Sequence, residues 1–311
     1  MHKLLILSRH APDYRRLVEA ADLPDVQITA STDPSGFAVS ADFDIVLGEP
    51  SLIRQALDRL PALRWVQATW AGVEPLLDPS VRRDYILTNA RGVFGALMSE
   101  YVFGYMLAHE RRMFEKYASQ RERRWDPAHP GTLRGKQIGL LGVGTIGTAL
   151  ARTARHFGMR VKGYTRASEE SPDVDAYFHG DDRLAFASDL DYLVAIVPNT
   201  SGTRHLVDAT LLAALPPRAV FINPGRGSVV DEAALAEALG AGRLAAAVLD
   251  VFVQEPLPPD HPFWRTPNTF ITSHTAALSV PADIAPVFVE NYRRWIREEP
   301  LRYRVDFDAG Y

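Results

Sequence analysis

Residues 137–150 read Gln137-Ile-Gly-Leu-Leu-Gly142-Val-Gly144-Thr-Ile-Gly147-Thr-Ala-Leu150. An apolar strand runs directly into Gly-x-Gly-x-x-Gly, and a helix carrying Ala149, Leu150 and Phe157 opens behind it. Each glycine has a physical reason to be there. Gly142 allows a tight turn, Gly144 lets the backbone approach a pyrophosphate, and Gly147 permits close contact between helix and strand. The helix start, Thr145-Ile146, then offers free N–H groups and the positive end of the helix dipole to phosphates. Glycine-rich turns can serve packing alone, but with this strand before and this helix after, the loop predicts a dinucleotide site.

Working outward, the same alternation of short apolar runs and amphipathic stretches covers the chain, as βα units around a parallel sheet require. Downstream, strands are predicted at 160–164, 192–197, 219–223, 245–250 and 269–272, with helices at 146–157, 208–215 and 232–241. Upstream, strands fit 3–7, 26–29, 44–47, 64–68 and 85–88. Helices fit 12–21 and 51–60, started by Pro12 and Ser51, and a long helix fits 98–117. The stretch 121–134, broken by Pro127, Pro130 and Gly131, reads as a linker or strap. A last helix, 282–298, stops before Pro300. The fold class is therefore α/β with two doubly wound parallel-sheet domains. A Rossmann coenzyme domain, 99–277, is inserted into a flavodoxin-like domain formed by 1–98 and 278–311.

The chain has 311 residues, 34 Lys plus Arg against 38 Asp plus Glu, and no cysteine. Thiolate catalysis, thiol redox chemistry and Cys-ligated metals are excluded. The near-neutral balance gives no reason to bind nucleic acid or an anionic membrane. No apolar run approaches membrane-span length, and the N-terminal run is too short for a signal-peptide core. A soluble, cytoplasmic protein is expected. His2, His10, His109, His129, His156, His179, His205 and His261 show no metal-ligand spacing and read as surface or core residues, so no metal is expected. The short run Arg121-Glu-Arg-Arg124 reads as a solvated or subunit-facing surface. Trp125 and Trp264 flank proline-rich loops and read as interface or core packing.

Cofactor choice rests on the end of the strand after the glycine loop. An NAD site places an acid there to hold the ribose 2′-OH. This strand ends in Thr165-Arg166, with no acid before Glu169. A hydroxyl and a guanidinium suit a 2′-phosphate, so NADP(H) is expected over NAD(H), unless Arg166 is only a solvated loop residue. Three further polar groups follow predicted strands: Arg226 in Asn-Pro-Gly-Arg-Gly, Glu255 in Gln-Glu-Pro, and His274 in Ser-His-Thr. Strand ends are where ligands gather in open α/β sheets. An Arg to bind a carboxylate or polarise a carbonyl, a His to supply a proton and an acid to keep that His charged suit reduction of a keto acid.

These segments resemble the D-isomer-specific 2-hydroxyacid dehydrogenases along nearly the whole chain. The matching stretches are Leu133-Arg-Gly-Lys-Gln-Ile-Gly with the glycine loop, Val197-Pro-Asn-Thr-Ser-Gly-Thr-Arg-His-Leu, Phe221-Ile-Asn-Pro-Gly-Arg-Gly, Val248-Leu-Asp-Val-Phe with Glu255-Pro256, and Thr272-Ser-His-Thr-Ala. Gln67-Ala-Thr-Trp-Ala-Gly-Val-Glu and Thr88-Asn-Ala-Arg-Gly match upstream. The resemblance implies His274 as acid/base, Glu255 as its partner and Arg226 as the substrate-binding Arg. It implies cofactor contacts from Val197, Pro198, Thr203 and Asn223, and one from Asp250 to the nicotinamide carboxamide. Trp70 and the backbone N–H groups of Ala71, Gly72 and Val73 would hold the substrate carboxylate. Trp70, Thr165-Arg166 and the closing Val305-Asp306…Gly310-Tyr311 are most similar to the glyoxylate/hydroxypyruvate reductase group. That implies an NADPH-preferring reductase of glyoxylate or hydroxypyruvate, and a homodimer joined through its coenzyme domains. The alternatives are a family member with another substrate, such as a phosphoglycerate, or a dinucleotide-sensing corepressor. One departure is Met98-Ser99-Glu100 where the family usually has Val-Ala-Glu; Ser99 either lines the nicotinamide pocket or caps the helix.

Overall fold

Strands covered on both faces need continuous apolar runs rather than alternation, and the central strands of this protein have them. The computed structural model describes residues 1–38, 42–166 and 168–310; Tyr311, quoted for the resemblance, lies outside them. The chain divides into two units, Met1–Val93 with Ser279–Tyr311, and Phe94–Leu278.

The first unit runs β1 (His2–Leu7), α1 (Ala11–Glu19), β2 (Val26–Ser31), β3 (Ile45–Gly48), α2 (Pro50–Ala56), β4 (Trp65–Ala68) and β5 (Ile86–Thr88). Its five strands are parallel in the order β2-β1-β3-β4-β5, the flavodoxin-like order with its reversal between β1 and β3. Every residue of β3 and β4 is buried. Helix α2 opens at Pro50, not Ser51. Its flanking Glu49 makes no side-chain cap, because that carboxylate accepts from Ser8 and the Arg9 N–H instead.

In the second unit the helix expected over 98–117 is two helices, α3 (Gly95–Glu110) and α4 (Met113–Arg121). The break is Arg112, held at φ 55°, a left-handed conformation that no helix can run through. There follow β6 (Gln137–Leu141), α5 (Thr145–His156), β7 (Arg160–Tyr164), β8 (Ala176–Phe178), α6 (Arg183–Ala187), β9 (Tyr192–Ala195), α7 (Ala209–Ala214), β10 (Val220–Asn223), α8 (Glu232–Gly240), β11 (Ala246–Leu249) and β12 (Thr269–Ile271). The seven strands are parallel, ordered β12-β11-β10-β9-β6-β7-β8. That is the doubly wound Rossmann order, and its reversal lies between β6 and β9. β8 and α6 have no counterpart in the sequence reading. The strand is three half-buried residues, too short for a period to register.

Helix α9 (Pro281–Ile296) belongs to the first unit. Trp65 stacks on Phe288 and Trp295, with ring centroids 5.4 and 5.6 Å away. The buried Asn291 amide donates to Gln67 Oε1 at 2.9 Å, while Asn291 Oδ1 accepts the Arg302 N–H at 2.8 Å. Each polar group taken from water thus has a partner, which keeps its burial inexpensive. Beyond α9 the tail pairs Arg304 antiparallel with Thr88 at the end of β5. No helix among the described residues is long and apolar enough to cross a membrane.

Candidate active site

The glycine loop leaves β6 at the reversal of strand order, and two of its glycines are enforced by backbone. Gly142 has φ 99°, and a Cβ there would also press on the Ile196 carbonyl at 3.2 Å. A Cβ on Gly147 would lie 2.4 Å from the Gly142 carbonyl oxygen. Gly144 differs, because a Cβ there would meet nothing within 4 Å. Packing therefore does not demand glycine at 144. Its bare backbone faces open space before the N-terminus of α5, where Thr145 and Ile146 present first-turn N–H groups. A pyrophosphate fits there.

At the end of β7 the structure separates the two expected contacts. Thr165 is buried, and its hydroxyl donates to the Ser168 carbonyl at 2.9 Å. Arg166 is exposed. On the other side of the loop, Val197 stands 3.1 Å from the position of a Gly142 Cβ, and Thr203 Oγ1 donates to the Pro198 carbonyl at 2.6 Å.

The catalytic candidates stand beyond the C-terminal ends of three adjacent strands, β10, β11 and β12. Asn223, the last residue of β10, accepts the Gly225 N–H through Oδ1 and donates through Nδ2 to the Arg226 carbonyl at 3.0 Å, which shapes the turn presenting Arg226. The Arg226 guanidinium donates to the Gly225 carbonyl at 2.8 Å. Glu255 is fixed by the Phe252 N–H, which donates to Oε1 at 2.9 Å. Its Oε2 lies 2.8 Å from His274 Nδ1. A carboxylate accepts only, so Nδ1 carries the hydrogen and Nε2 is left as the atom that gives or takes a proton. The His274 side chain is exposed. Its backbone sits at φ 56°, a left-handed conformation that costs a β-carbon residue about 1–2 kcal/mol. The His274 N–H donates to the Asp250 carbonyl at 2.8 Å, one of the bonds that hold it there.

Asp250 is the hub of this arrangement, a role the sequence did not disclose. It is buried, and its carboxylate accepts the N–H groups of Thr275 and Ala276, each at 2.9 Å, and the Thr272 hydroxyl. Tyr101 on α3 continues the chain, with its hydroxyl 2.8 Å from Thr272 Oγ1. Burial pushes the Tyr101 phenol well above its usual value, so it serves as a neutral hydrogen-bonding group. Most of Asp250's partners are main-chain N–H groups, which carry no residue signature. In the first unit, Trp70 is 37% exposed and its carbonyl accepts the Ala90 N–H. The Ala71 carbonyl accepts from the Asn89 amide at 2.8 Å. The N–H groups of Ala71, Gly72 and Val73 donate to no acceptor among the described residues, which suits an anion-binding turn.

Against known proteins, the family described as D-isomer specific 2-hydroxyacid dehydrogenase, NAD binding domain, matches residues 103–276. The chain belongs to the D-isomer-specific 2-hydroxyacid dehydrogenases. It is 35% identical to glyoxylate/hydroxypyruvate reductase A of Serratia proteamaculans over 268 residues, covering 83% of each chain. A crystal structure of a family protein from Aeromonas salmonicida superposes with a TM-score of 0.93 at 40% identity, covering 99% of both chains. A 2-hydroxyacid dehydrogenase from Xanthobacter autotrophicus, in complex with NADPH and MES, gives 0.90 at 33% identity over 100% of this chain and 99% of that one. In this dehydrogenase the Ser99 hydroxyl donates to the Gly95 carbonyl four residues earlier, at 2.7 Å. Ser99 is therefore an internal helix residue, not a cap, because α3 starts at Gly95. Among the described residues of the dehydrogenase, no group of three or more His, Asp or Glu is placed to hold a metal ion.

Proposed function

We propose that this dehydrogenase reduces small 2-keto acids, glyoxylate and hydroxypyruvate foremost, to D-2-hydroxy acids with NADPH, in the cytoplasm and as a homodimer. The observation that carries the reading is the His274–Glu255 pair, which with Arg226 follows the ends of three adjacent strands in the same sheet as the dinucleotide loop. NADPH, when bound, supplies the hydride. The work of the chain is electrostatic and positional. Arg226 draws the keto acid into place and polarises it. As negative charge develops on the keto oxygen, His274 delivers the Nε2 proton to it. Glu255 stabilises the imidazolium before transfer and keeps the Nδ1–H tautomer after it. The turn 70–73 is assigned the substrate carboxylate through its N–H groups.

Cofactor preference is assigned to Arg166. A charge-assisted hydrogen bond is worth about 1.5–3 kcal/mol, or roughly 10- to 150-fold in affinity, and solvent screening at an exposed site takes part of that. Arg166→Ala should raise the KM for NADPH much more than that for NADH. The check is the ratio of kcat/KM for the two cofactors. A wild type that favours NADH, or a ratio untouched by the substitution, refutes the assignment.

The homodimer is supported by the apolar surface of α4 and the strap after it. Met113, Phe114 and Tyr117 are exposed, and Trp125 is 90% exposed. Contiguous exposed apolar side chains mark interaction surfaces. Light scattering at micromolar concentration should give twice the chain mass, and Trp125→Glu with Tyr117→Glu should halve it. A wild-type monomer would count against the assembly.

A further inference from the structure

The residue following β8, His179, is one the sequence gives no reason to single out. Its ring bridges two acceptors at the adenosine end of the glycine-loop site. Nδ1 lies 2.8 Å from the Thr165 carbonyl oxygen, and Nε2 lies 2.6 Å from Glu169 Oε1. A backbone carbonyl never carries a proton, so Nδ1 must donate to it. At Nε2 the proton is shared with a carboxylate, and imidazole is the stronger base of the two. The bridge is therefore an imidazolium between a carbonyl and a carboxylate. It ties Glu169 to the Thr165 carbonyl, and Thr165 Oγ1 in turn donates to the Ser168 carbonyl.

This matters because of where Glu169 would otherwise act. The residues that end the second strand of a dinucleotide fold meet the adenosine ribose, and an acid there holds a 2′-OH and repels a 2′-phosphate. Glu169 is the first acid after β7, and only one imidazole ring separates it from the Thr165 carbonyl.

We propose that His179 is a specificity-determining positioning residue: by pairing with Glu169 it offsets the first acid after β7, so that a 2′-phosphate is accepted at this strand end. The inference rests on the NADPH reading above and adds to it a residue that acts through Glu169. The charged groups that act on the ring are Glu169, in the segment after β7, and Asp182, in the turn after β8. Glu169 first, then the Thr165 carbonyl, hold the His179 pKa above its ordinary value, and Asp182 adds to this. The bridge therefore keeps its charge to higher pH than a free imidazole would, and loses it as pH rises through that raised value.

The experiment is direct binding of NADPH and of NADH to the otherwise ligand-free protein, by calorimetry, for wild type, H179A, E169Q and the double variant. The pair is solvent-exposed, so its deletion leaves the fold intact and its effect is that of a screened interaction. H179A should lower the NADPH-to-NADH affinity ratio about two- to fivefold. E169Q should leave the ratio at or above wild type. The double variant should return to within about twofold of wild type, because removing Glu169 removes the charge His179 cancels. As pH rises above the ordinary imidazole range and through the raised His179 value, beyond the titration of the 2′-phosphate near 6, the ratio should fall in wild type and stay flat in H179A. A double variant as poor as H179A, or an H179A ratio equal to wild type, overturns the proposal while the NADPH reading stands. A wild type that binds NADH more tightly overturns both.

Discussion

Replacing His274 with alanine should lower kcat for glyoxylate by about 10²- to 10⁴-fold, the usual range for loss of a general acid, which corresponds to about 2.7–5.4 kcal/mol of barrier. Dinucleotide affinity should hardly move. The ring lies beyond β12, at the opposite edge of the sheet from β7 and β8, and the glycine loop is held by contacts that do not involve it. His274→Asn separates chemistry from conformation. Asparagine tolerates the left-handed backbone at φ 56° better than alanine does, so the turn keeps its shape. It can still donate to Glu255, but it holds no transferable proton at neutral pH. Both variants should therefore be equally inactive, with NADPH affinity measured by calorimetry within about twofold of wild type. If His274→Asn retained near-normal turnover, the proton would have to come from elsewhere, and the assignment of Glu255 would fall with it.

How much of this was readable from the sequence follows from how local each signal is. The glycine loop is a contiguous strand–turn–helix in which Gly142 and Gly147 answer to a neighbour within a few residues or to the next strand, and Gly144 to the open space before the helix. It stood out from letters alone, and β6 and β7 fall where the apolar runs put them. Arg226, Glu255 and His274 are far apart in sequence, but each follows an apolar strand, and strand order in a doubly wound sheet brings such ends together. The break at Arg112 was hidden because arginine is a good helix former and nothing in its side chain announces φ 55°. Asp250 was legible as a strand-end acid, and through the resemblance as a nicotinamide contact, but not as a hub. Its hold on Thr272, Thr275 and Ala276 depends on a turn whose main chain folds back to it. His179 was set aside because its significance lies in what faces it. Glu169 is ten residues away across a turn, a separation no periodicity records. Local covalent neighbours leave a mark in sequence, and contacts closed by irregular backbone do not.

Two glycines of the second unit should have opposite fates when replaced by alanine. Gly227→Ala should destabilise the unit and remove activity together. A Cβ at 227 would lie 2.0 Å from the carbonyl carbon of Phe252 and 2.2 Å from its oxygen. Both atoms are backbone, so no side chain can swing aside, and either the turn after β10 or the segment after β11 must move. Forcing one extra carbon into such packing costs about 1–3 kcal/mol, occasionally more. In a unit of this size that corresponds to a fall of about 2–12 °C in its melting temperature. Movement on one side displaces Arg226, the residue before. Movement on the other displaces the Phe252 N–H that fixes Glu255. Catalytic groups misplaced by about 1 Å lose of order 10² in rate, so kcat should fall even in the fraction that remains folded. Gly144→Ala is the contrast. Its φ is −86° and a methyl there meets nothing, so the melting temperature should hold or rise slightly as the unfolded chain loses freedom. Dinucleotide affinity should fall, because the methyl takes the space that the phosphate needs. Calorimetric melting of both variants beside NADPH titrations makes the comparison. A Gly227→Ala protein as stable and active as wild type would mean that the close approach of Gly227 to Phe252 places neither Arg226 nor Glu255.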